Sequence, residues 1–336
     1  MAKNTILIVG LGQIGTSIGL GLQAHTDRLE RIGHTRDIGK ANHAKKIGAV
    51  DKSVVNLPSA VGKADIVVLA LPMDQVGDIL ELICQDLKPG TVVLDTSPAR
   101  AQGDVWAKQY FGKDRYYVGF TPILNPRSLL SVLGGIEEAS DLLFQDGMFA
   151  ITSSSQASSE ALKLAADMAT LLRATPLFAD ALEVDSYFSA VHLLPQLMAA
   201  GASLVSSKSP GWGERRKVAG RPYAQLTQLL ANTDNSAALA AAAQFNKEHV
   251  VRTLDEVITE LTEMRDDLEQ GNQTAFEQRL ADAEEHRKTW WVERQRSDWL
   301  HERGADTDFT AVDFGGVTQL FTGNPRARKP GRGKDQ

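Results

Sequence analysis

The stretch Thr5 to Leu22, TILIVGLGQIGTSIGLGL, constrains this chain more than any other. An apolar run, Ile6 to Val9, breaks into Gly10-Leu11-Gly12-Gln13-Ile14-Gly15 and then into a pattern that suits a helix. Strand, tight turn and helix therefore follow in the order of a dinucleotide-binding fingerprint. In such a fingerprint Gly10 permits the turn, Gly12 lets backbone approach a pyrophosphate, and Gly15 lets the helix pack close to the strand. The helix N-terminus supplies N–H groups and a positive dipole end. Gly10, Gly12, Gln13, Ile14 and Gly15 are accordingly predicted to contact a cofactor.

Leu29 to His34 reads as the second strand, and Thr35 stands about 20 residues beyond Gly15, where an acid usually binds the adenosine ribose. Arg36 follows it. An acid would repel a 2′-phosphate, whereas a hydroxyl beside a guanidinium can hydrogen-bond and neutralise one. Thr35 and Arg36 thus favour NADP over NAD.

The alternation continues with a helix over Ile38 to Ile47, a buried strand over Ile66 to Ala70, a helix over Asp74 to Leu87 and a strand over Thr91 to Leu94. This pattern predicts a doubly wound parallel sheet. Ligands in such sheets bind beyond the carboxyl ends of the strands, so Ala70-Leu71-Pro72 and Asp95-Thr96-Ser97-Pro98 are expected to face the nicotinamide half. Leu71, Pro72 and Thr96 join the cofactor residues on that ground. Tyr116 to Phe120 is a further strand, and Thr121-Pro122-Ile123-Leu124-Asn125-Pro126 opens a long connection before a strand at Phe149 to Thr152. Long connections at this edge often close over substrate, which makes Asn125 a substrate-binding candidate. An amphipathic helix over Ser158 to Leu172 and a short strand over Thr175 to Phe178 complete the pattern. From Ala181 onward the chain reads as helical, including Ala237 to Leu268.

The helix from Asp185 to Ser206 carries Asp185, Ser189, His192 and Gln196 at steps of four, three and four, on one face of an otherwise apolar helix. A polar stripe of this kind lines a wet cleft. Pro195 predicts a kink or a local loss of backbone hydrogen bonding near Gln196. The following segment, Ser209-Pro210-Gly211-Trp212-Gly213-Glu214-Arg215-Arg216-Lys217, offers cations that can hold a carboxylate substrate.

Composition narrows the classes. A length of 336 residues favours two domains over one, and a net charge of -6 argues against a nucleic-acid binder. No run approaches a membrane span, no signal peptide precedes the first strand, and a cytoplasmic protein is expected. The single cysteine, Cys84, sits among Ile79, Leu80, Leu82 and Ile83 and reads as helix-core packing. The seven histidines show no ligand spacing, so no metal site is expected. The tail ending NPRARKPGRGKDQ has nothing to bury and is expected to be disordered. The division reads as 1–178, 179–300 and a basic tail 301–336.

Together these features resemble the prephenate and arogenate dehydrogenase family over roughly Thr5 to Trp290. The cofactor turn, the Ala70-Leu71-Pro72 strand end, the Asp95 turn, Gly119-x-x-Pro122, Leu194-Pro195 and Gly211-Trp212 follow in that family's order. The resemblance implies a Rossmann-type sheet followed by an all-helical dimerisation domain, a homodimer, and an active site between the domains. It also implies oxidative decarboxylation of a cyclohexadienol acid in tyrosine biosynthesis. The sequence departs from the family at the chemistry: Thr121-Pro122 replaces His-Pro, and Leu193-Leu194-Pro195-Gln196 replaces His-Leu-Pro-His. Pro98 takes the serine position with Ser97 before it, Arg100 matches the usual lysine, and Lys217, with Arg216 beside it, matches the substrate-binding arginine. The roles so implied are catalysis by Thr121, His192 and Ser97, and substrate binding by Gln196, Ser189, Arg216, Lys217 and Asn125. The altered pocket leaves two alternatives open: a diverged NADPH-dependent reductase of another small carboxylated or imine substrate, and a non-catalytic NADP-binding protein.

Overall fold

Central strands that read as apolar, β-branched runs form the middle of one eight-stranded sheet. In this computed structural model, which describes residues 3–131, 134–231 and 235–296, the strands are β1 (Asn4–Val9), β2 (Leu29–His34), β3 (Lys52–Val54), β4 (Ile66–Leu69), β5 (Val92–Asp95), β6 (Tyr116–Ile123), β7 (Met148–Ser153) and β8 (Thr175–Phe178). They lie in the order β3-β2-β1-β4-β5-β6-β7-β8. The order reverses between β1 and β4, and a crevice for ligands opens at such a switch point. Along β1, Ile6 and Ile8 enter the core on one face while Leu7 and Val9 enter the core on the other. Burial on both faces explains why the strand reads as a continuous apolar run.

The helices packed around the sheet are α1 (Gln13–Gly21), α2 (Ile38–Lys46), α3 (Leu57–Val61), α4 (Met73–Ile83), α5 (Arg100–Tyr110) and α6 (Ser159–Leu171). Strand β3 and helices α3 and α5 do not show in the sequence pattern, and the α4 region ends at Ile83 rather than Leu87. Cys84 is the C-cap of α4, half-buried, with its thiol on the Glu81 carbonyl at 3.2 Å. It is therefore a helix-end residue and not part of the core.

The sheet is not wholly parallel, because β6 and β7 pair antiparallel. Among the described residues their connection holds only short 3₁₀ turns, Pro126–Ser128 and Ile136–Glu138, and no crossover helix of the kind a parallel return needs. Thr121, Pro122 and Ile123 extend β6, so the connection opens at Leu124 and not at Thr121. Pro122 is tolerated because β5 pairs with β6 only as far as Gly119, which leaves the end of β6 unpaired on that side.

Past β8 the described chain is helical: α7 (Ala181–Phe188), a five-residue π turn (Ser189–Leu193), α8 (Leu194–Lys208), α9 (Trp212–Val218), α10 (Arg221–Ala231), α11 (Ser236–Phe245), α12 (Lys247–Glu269) and α13 (Gln273–Arg296). The single helix expected from Ala237 to Leu268 is two helices that meet at Asn246, whose backbone leaves the helical region at φ -103 and ψ 25. Contrary to the expectation of no span-length run, the continuous stretch Ala181–Lys208 is long and apolar enough by length and composition to cross a membrane, with a mean hydropathy of 1.4. Asp185 inside it bonds to α5, which ties this stretch to the sheet. The basic tail 301–336 lies outside the described residues.

Candidate functional site

The turn after β1 has the geometry its glycines predict. Gly10 has φ +100, and a Cβ there would lie 2.0 Å from the Ala70 carbonyl oxygen. A Cβ on Gly15 would lie 1.9 Å from the Gly10 oxygen, so α1 can pack against the turn only without one. A Cβ on Gly12 would meet nothing within 4 Å. Gly12 is the N-cap of α1, no side chain caps the helix, and no acid stands in its first turn. The first amides of α1, at Gln13 and Ile14 among others, are thus open to an anion in an uncluttered space. A nucleotide pyrophosphate fits that cradle.

At the end of β2, Thr35 is half-buried and accepts the Asp37 amide at 3.3 Å. The nearby acid, Asp37, is occupied as the cap of α2 through the Lys40 amide at 3.1 Å. Arg36 is exposed beside them. At the strand ends opposite, Pro72 is the N-cap of α4, and the Leu71 side chain borders the space beside Gly10. The Thr96 hydroxyl donates to the Leu69 carbonyl at 3.0 Å and joins the ends of β4 and β5. The β6–β7 connection folds over α1: Gln13 Nε2 donates to the Glu138 carbonyl at 3.4 Å, and Ser17 Oγ accepts the Ser140 amide at 3.0 Å.

The turn after β5 is filled by side chains. Asp95 and Arg100 form an ion pair at 2.9 Å with both side chains fully buried. Ser97 is buried, donates from its hydroxyl to Asp95 Oδ2 at 2.8 Å and from its amide to Oδ1 at 2.9 Å, and accepts from Arg100 at 2.5 Å. The Tyr117 hydroxyl donates to the same carboxylate. Burial, joined by the Asp95 charge, pushes the Tyr117 pKa well up. Arg100 keeps a raised pKa because Asp95 and the nearby Tyr117 and Asp185 outweigh its burial. Thr121 is buried too, and its hydroxyl donates to the Ser97 carbonyl at 2.8 Å. The structure therefore brings Ser97 and Thr121 together, with the Thr121 proton committed to a backbone oxygen.

The polar stripe does not stay on one face. The π turn at Ser189–Leu193, directly before Pro195, underwinds the helix and separates the four residues. Asp185 and Ser189 are buried, and the Ser189 hydroxyl donates to the Asp185 carbonyl at 2.7 Å. His192 is exposed, with its ring 5.7 Å from that of Phe188. Crowding by protein atoms pulls its pKa down, although the residue as a whole is exposed. Gln196 donates its amide to the His192 carbonyl at 2.8 Å. The local loss of backbone bonding expected near Gln196 thus takes the form of a π turn just upstream.

Three substrate-binding expectations meet a different arrangement. Asn125 is buried, with its oxygen on the Arg127 amide at 2.8 Å and its nitrogen on the Gln145 carbonyl, so its side chain organises its own loop. Lys217 is exposed and pairs with Glu214 at 2.8 Å, and Arg216 turns back to the Gly213 carbonyl at 3.3 Å. Both lie beyond the far end of α8, a helix about 22 Å long at ~1.5 Å per residue, well away from the π turn of the same chain. Asp95, Tyr117 and Gly119 were missed as site residues. A Cβ on Gly119 would lie 2.1 Å from Thr152 Oγ1 and 2.8 Å from Arg100, and only the pairing of an aspartate with an arginine five residues on hinted at this cluster.

Residues 18–175 match the family model described as prephenate dehydrogenase, nucleotide-binding domain. A prephenate dehydrogenase of Lactococcus lactis subsp. cremoris is 31% identical over 197 residues, 58% of this chain and 52% of the relative. The nucleotide-binding part of this chain is thus similar to that of prephenate dehydrogenases. The chain spans about half the length of the Lactococcus relative. A Bacillus subtilis prephenate dehydrogenase is 22% identical over 270 residues, 80% of this chain and 71% of the relative. Two solved dehydrogenases share the fold. The A. aeolicus prephenate dehydrogenase, solved in complex with hydroxyphenyl propionate and NAD+, aligns with a TM-score of 0.74 at 18% identity, covering 86% of this chain and 99% of that one. The Synechocystis arogenate dehydrogenase aligns with a TM-score of 0.65 at 18% identity, covering 85% and 99%.

Proposed function

We propose that the chain is an NADP-dependent dehydrogenase that carries out oxidative decarboxylation of prephenate or arogenate. The observation that carries this reading is the uncapped N-terminus of α1 behind Gly12, with Thr35 and Arg36 at the end of the neighbouring strand. In this reading Gly10, Gly12, Gln13, Ile14 and Gly15 hold the pyrophosphate, Thr35 and Arg36 the ribose and its 2′-phosphate, and Leu71, Pro72 and Thr96 the nicotinamide side. NADP bound there would supply the acceptor for the hydride of the substrate carbinol. His192, exposed on the π turn, accepts the proton of the ring hydroxyl. Ser97 holds Thr121 in place beside that hydroxyl through its carbonyl, and Ser189 and Gln196 shape the opposite wall.

Arg216 and Lys217 hold the substrate carboxylate when a second copy brings them to the cleft. A homodimer through the helical part is supported by the exposed apolar residues Leu182, Val191, Leu204 and Val205 on α7, the π turn and α8, and Ile258 and Leu261 on α12. The division into a nucleotide-binding part (1–178), a helical substrate and dimerisation part (179–300) and a basic tail (301–336), in a cytoplasmic protein, belongs to the same proposal.

The test is formation of reduced cofactor with prephenate and with arogenate, each with NADP and with NAD. Turnover with NADP is expected, and Arg36→Ala should weaken NADP at least about tenfold more than NAD, roughly 1.4 kcal/mol. Equal losses for the two cofactors would remove Arg36 from the ribose site. A second reading, a diverged NADPH-dependent reductase, is favoured by two observations: the Thr121 hydroxyl is tied to Ser97, and Leu193 is buried where the resemblance expects a histidine. NADP binding without turnover of either substrate would select that reading or a non-catalytic NADP-binding protein.

A further inference from the structure

Helix α5 starts after Ala99, whose methyl group cannot cap it. Its first amides, Arg100 and Ala101, are taken instead by the Asp185 carboxylate at 2.6 and 2.9 Å. Asp185 is 1% exposed and comes from α7, 85 residues further along the chain. The Arg100 side chain runs back to Asp95 and Ser97, and the Ser97 carbonyl holds Thr121. The backbone of Asp185 is engaged as well: its carbonyl receives the hydroxyl of Ser189, the residue that opens the π turn carrying His192. A single residue therefore grips both walls of the candidate site. We infer that Asp185 is a positioning residue that sets the separation between the Ser97–Thr121 turn and the His192-bearing π turn.

A helix cap drawn from a neighbouring residue stabilises only its own helix. A cap drawn from another region also fixes where that region stands. Burial holds the Asp185 pKa above the usual carboxylate value, although the Ala101 and Arg100 amides, and then the Arg100 and His249 side chains, pull it down. The inference rests on the dehydrogenase reading for its catalytic consequence. Displacing reacting groups by about 1 Å costs on the order of 100-fold in rate, so loss of this joint should appear in kcat before it appears in cofactor binding.

The experiment uses the full chain with Asp185→Asn, Asp185→Ala and Ser189→Ala. Turnover, NADP affinity and amide hydrogen exchange over residues 100–102 and 189–195 are measured together. Asp185→Asn keeps one acceptor oxygen and should lose about tenfold in kcat, while Asp185→Ala should lose about 100-fold. NADP affinity should stay within about twofold in both. Exchange should quicken in both segments of Asp185→Ala, and only in the π turn of Ser189→Ala. Unchanged kcat in folded variants, or parallel losses of kcat and NADP affinity, overturns the inference. If the unmodified protein turns over neither substrate, the dehydrogenase reading fails and exchange still decides this one: joint quickening upholds the coupling, and quickening confined to α5 overturns it.

Discussion

The turn after β1 and the turn after β5 occupy equivalent places, each joining the carboxyl end of a central parallel strand to a helix, yet they are built in opposite ways. At the first, side chains are excluded: Gly12 faces open space and nothing caps α1. At the second, side chains fill everything: Asp95, Ser97, Arg100 and Tyr117 bond to one another, and Asp185 caps α5. The open helix end can receive an anion because its amides have no competitor. The filled one holds groups at fixed separations, which is what reaction geometry requires and what phosphate binding does not. The same strand-to-helix joint thus serves as a cradle in one place and as a frame in the other.

Substitutions can break this contrast. The largest effect is expected at Gly15→Ala, where the new Cβ would lie 1.9 Å from a backbone oxygen that cannot move aside. A cost above about 4 kcal/mol is expected, seen as loss of a cooperative thermal transition. Next comes the frame: Arg100→Met strands the buried Asp95 charge and should cost about 3–5 kcal/mol by denaturant unfolding. A much smaller loss would mean that Asp95 is not held as a charged group. Gly12→Ala sharpens the comparison, because its Cβ enters space the protein leaves empty. Its melting temperature should be unchanged while nucleotide affinity falls about 10- to 100-fold, and retained affinity would show that the pyrophosphate sits elsewhere.

The smallest effect concerns a carboxyl outside both turns. Asp167 on α6 is 5% exposed, and burial pushes its pKa above the usual 3.8 despite the pull of Lys163. One of its oxygens has no hydrogen-bond partner. A group whose folded-state pKa is raised stabilises below its unfolded value and loses that contribution as pH rises through the folded one. Asp167→Asn should therefore raise the melting temperature at about pH 8 and leave it nearly unchanged at about pH 3. An equal shift at both would point to packing rather than titration.

Much of the fold was legible because its signals are local. Three glycines at fixed spacing mark the first turn, and apolar runs broken by Gly and Pro mark β1 and β4. Pro195 announced an irregular helix, found as the π turn just before it. Less legible was α5, whose start carries Ala99 where a capping side chain is usual and whose cap comes from Asp185. The antiparallel β6–β7 pair was hidden for a related reason, since strand direction depends on how the connection returns and not on the strand's own residues. Polar spacing placed Asp185, Ser189, His192 and Gln196 on one face, but the π turn redistributed them.

By itself, the sequence determined the cofactor-type turn, the alternating sheet and the helical second half, because backbone freedom at glycine and hydrophobic period act over a few residues. Only the tertiary structure decided which polar residues are spent on the frame and which remain open. Arg100 and Asp185 meet across 85 residues of chain, and a buried charge or an uncapped amide finds its partner in space, without regard to periodicity along the chain.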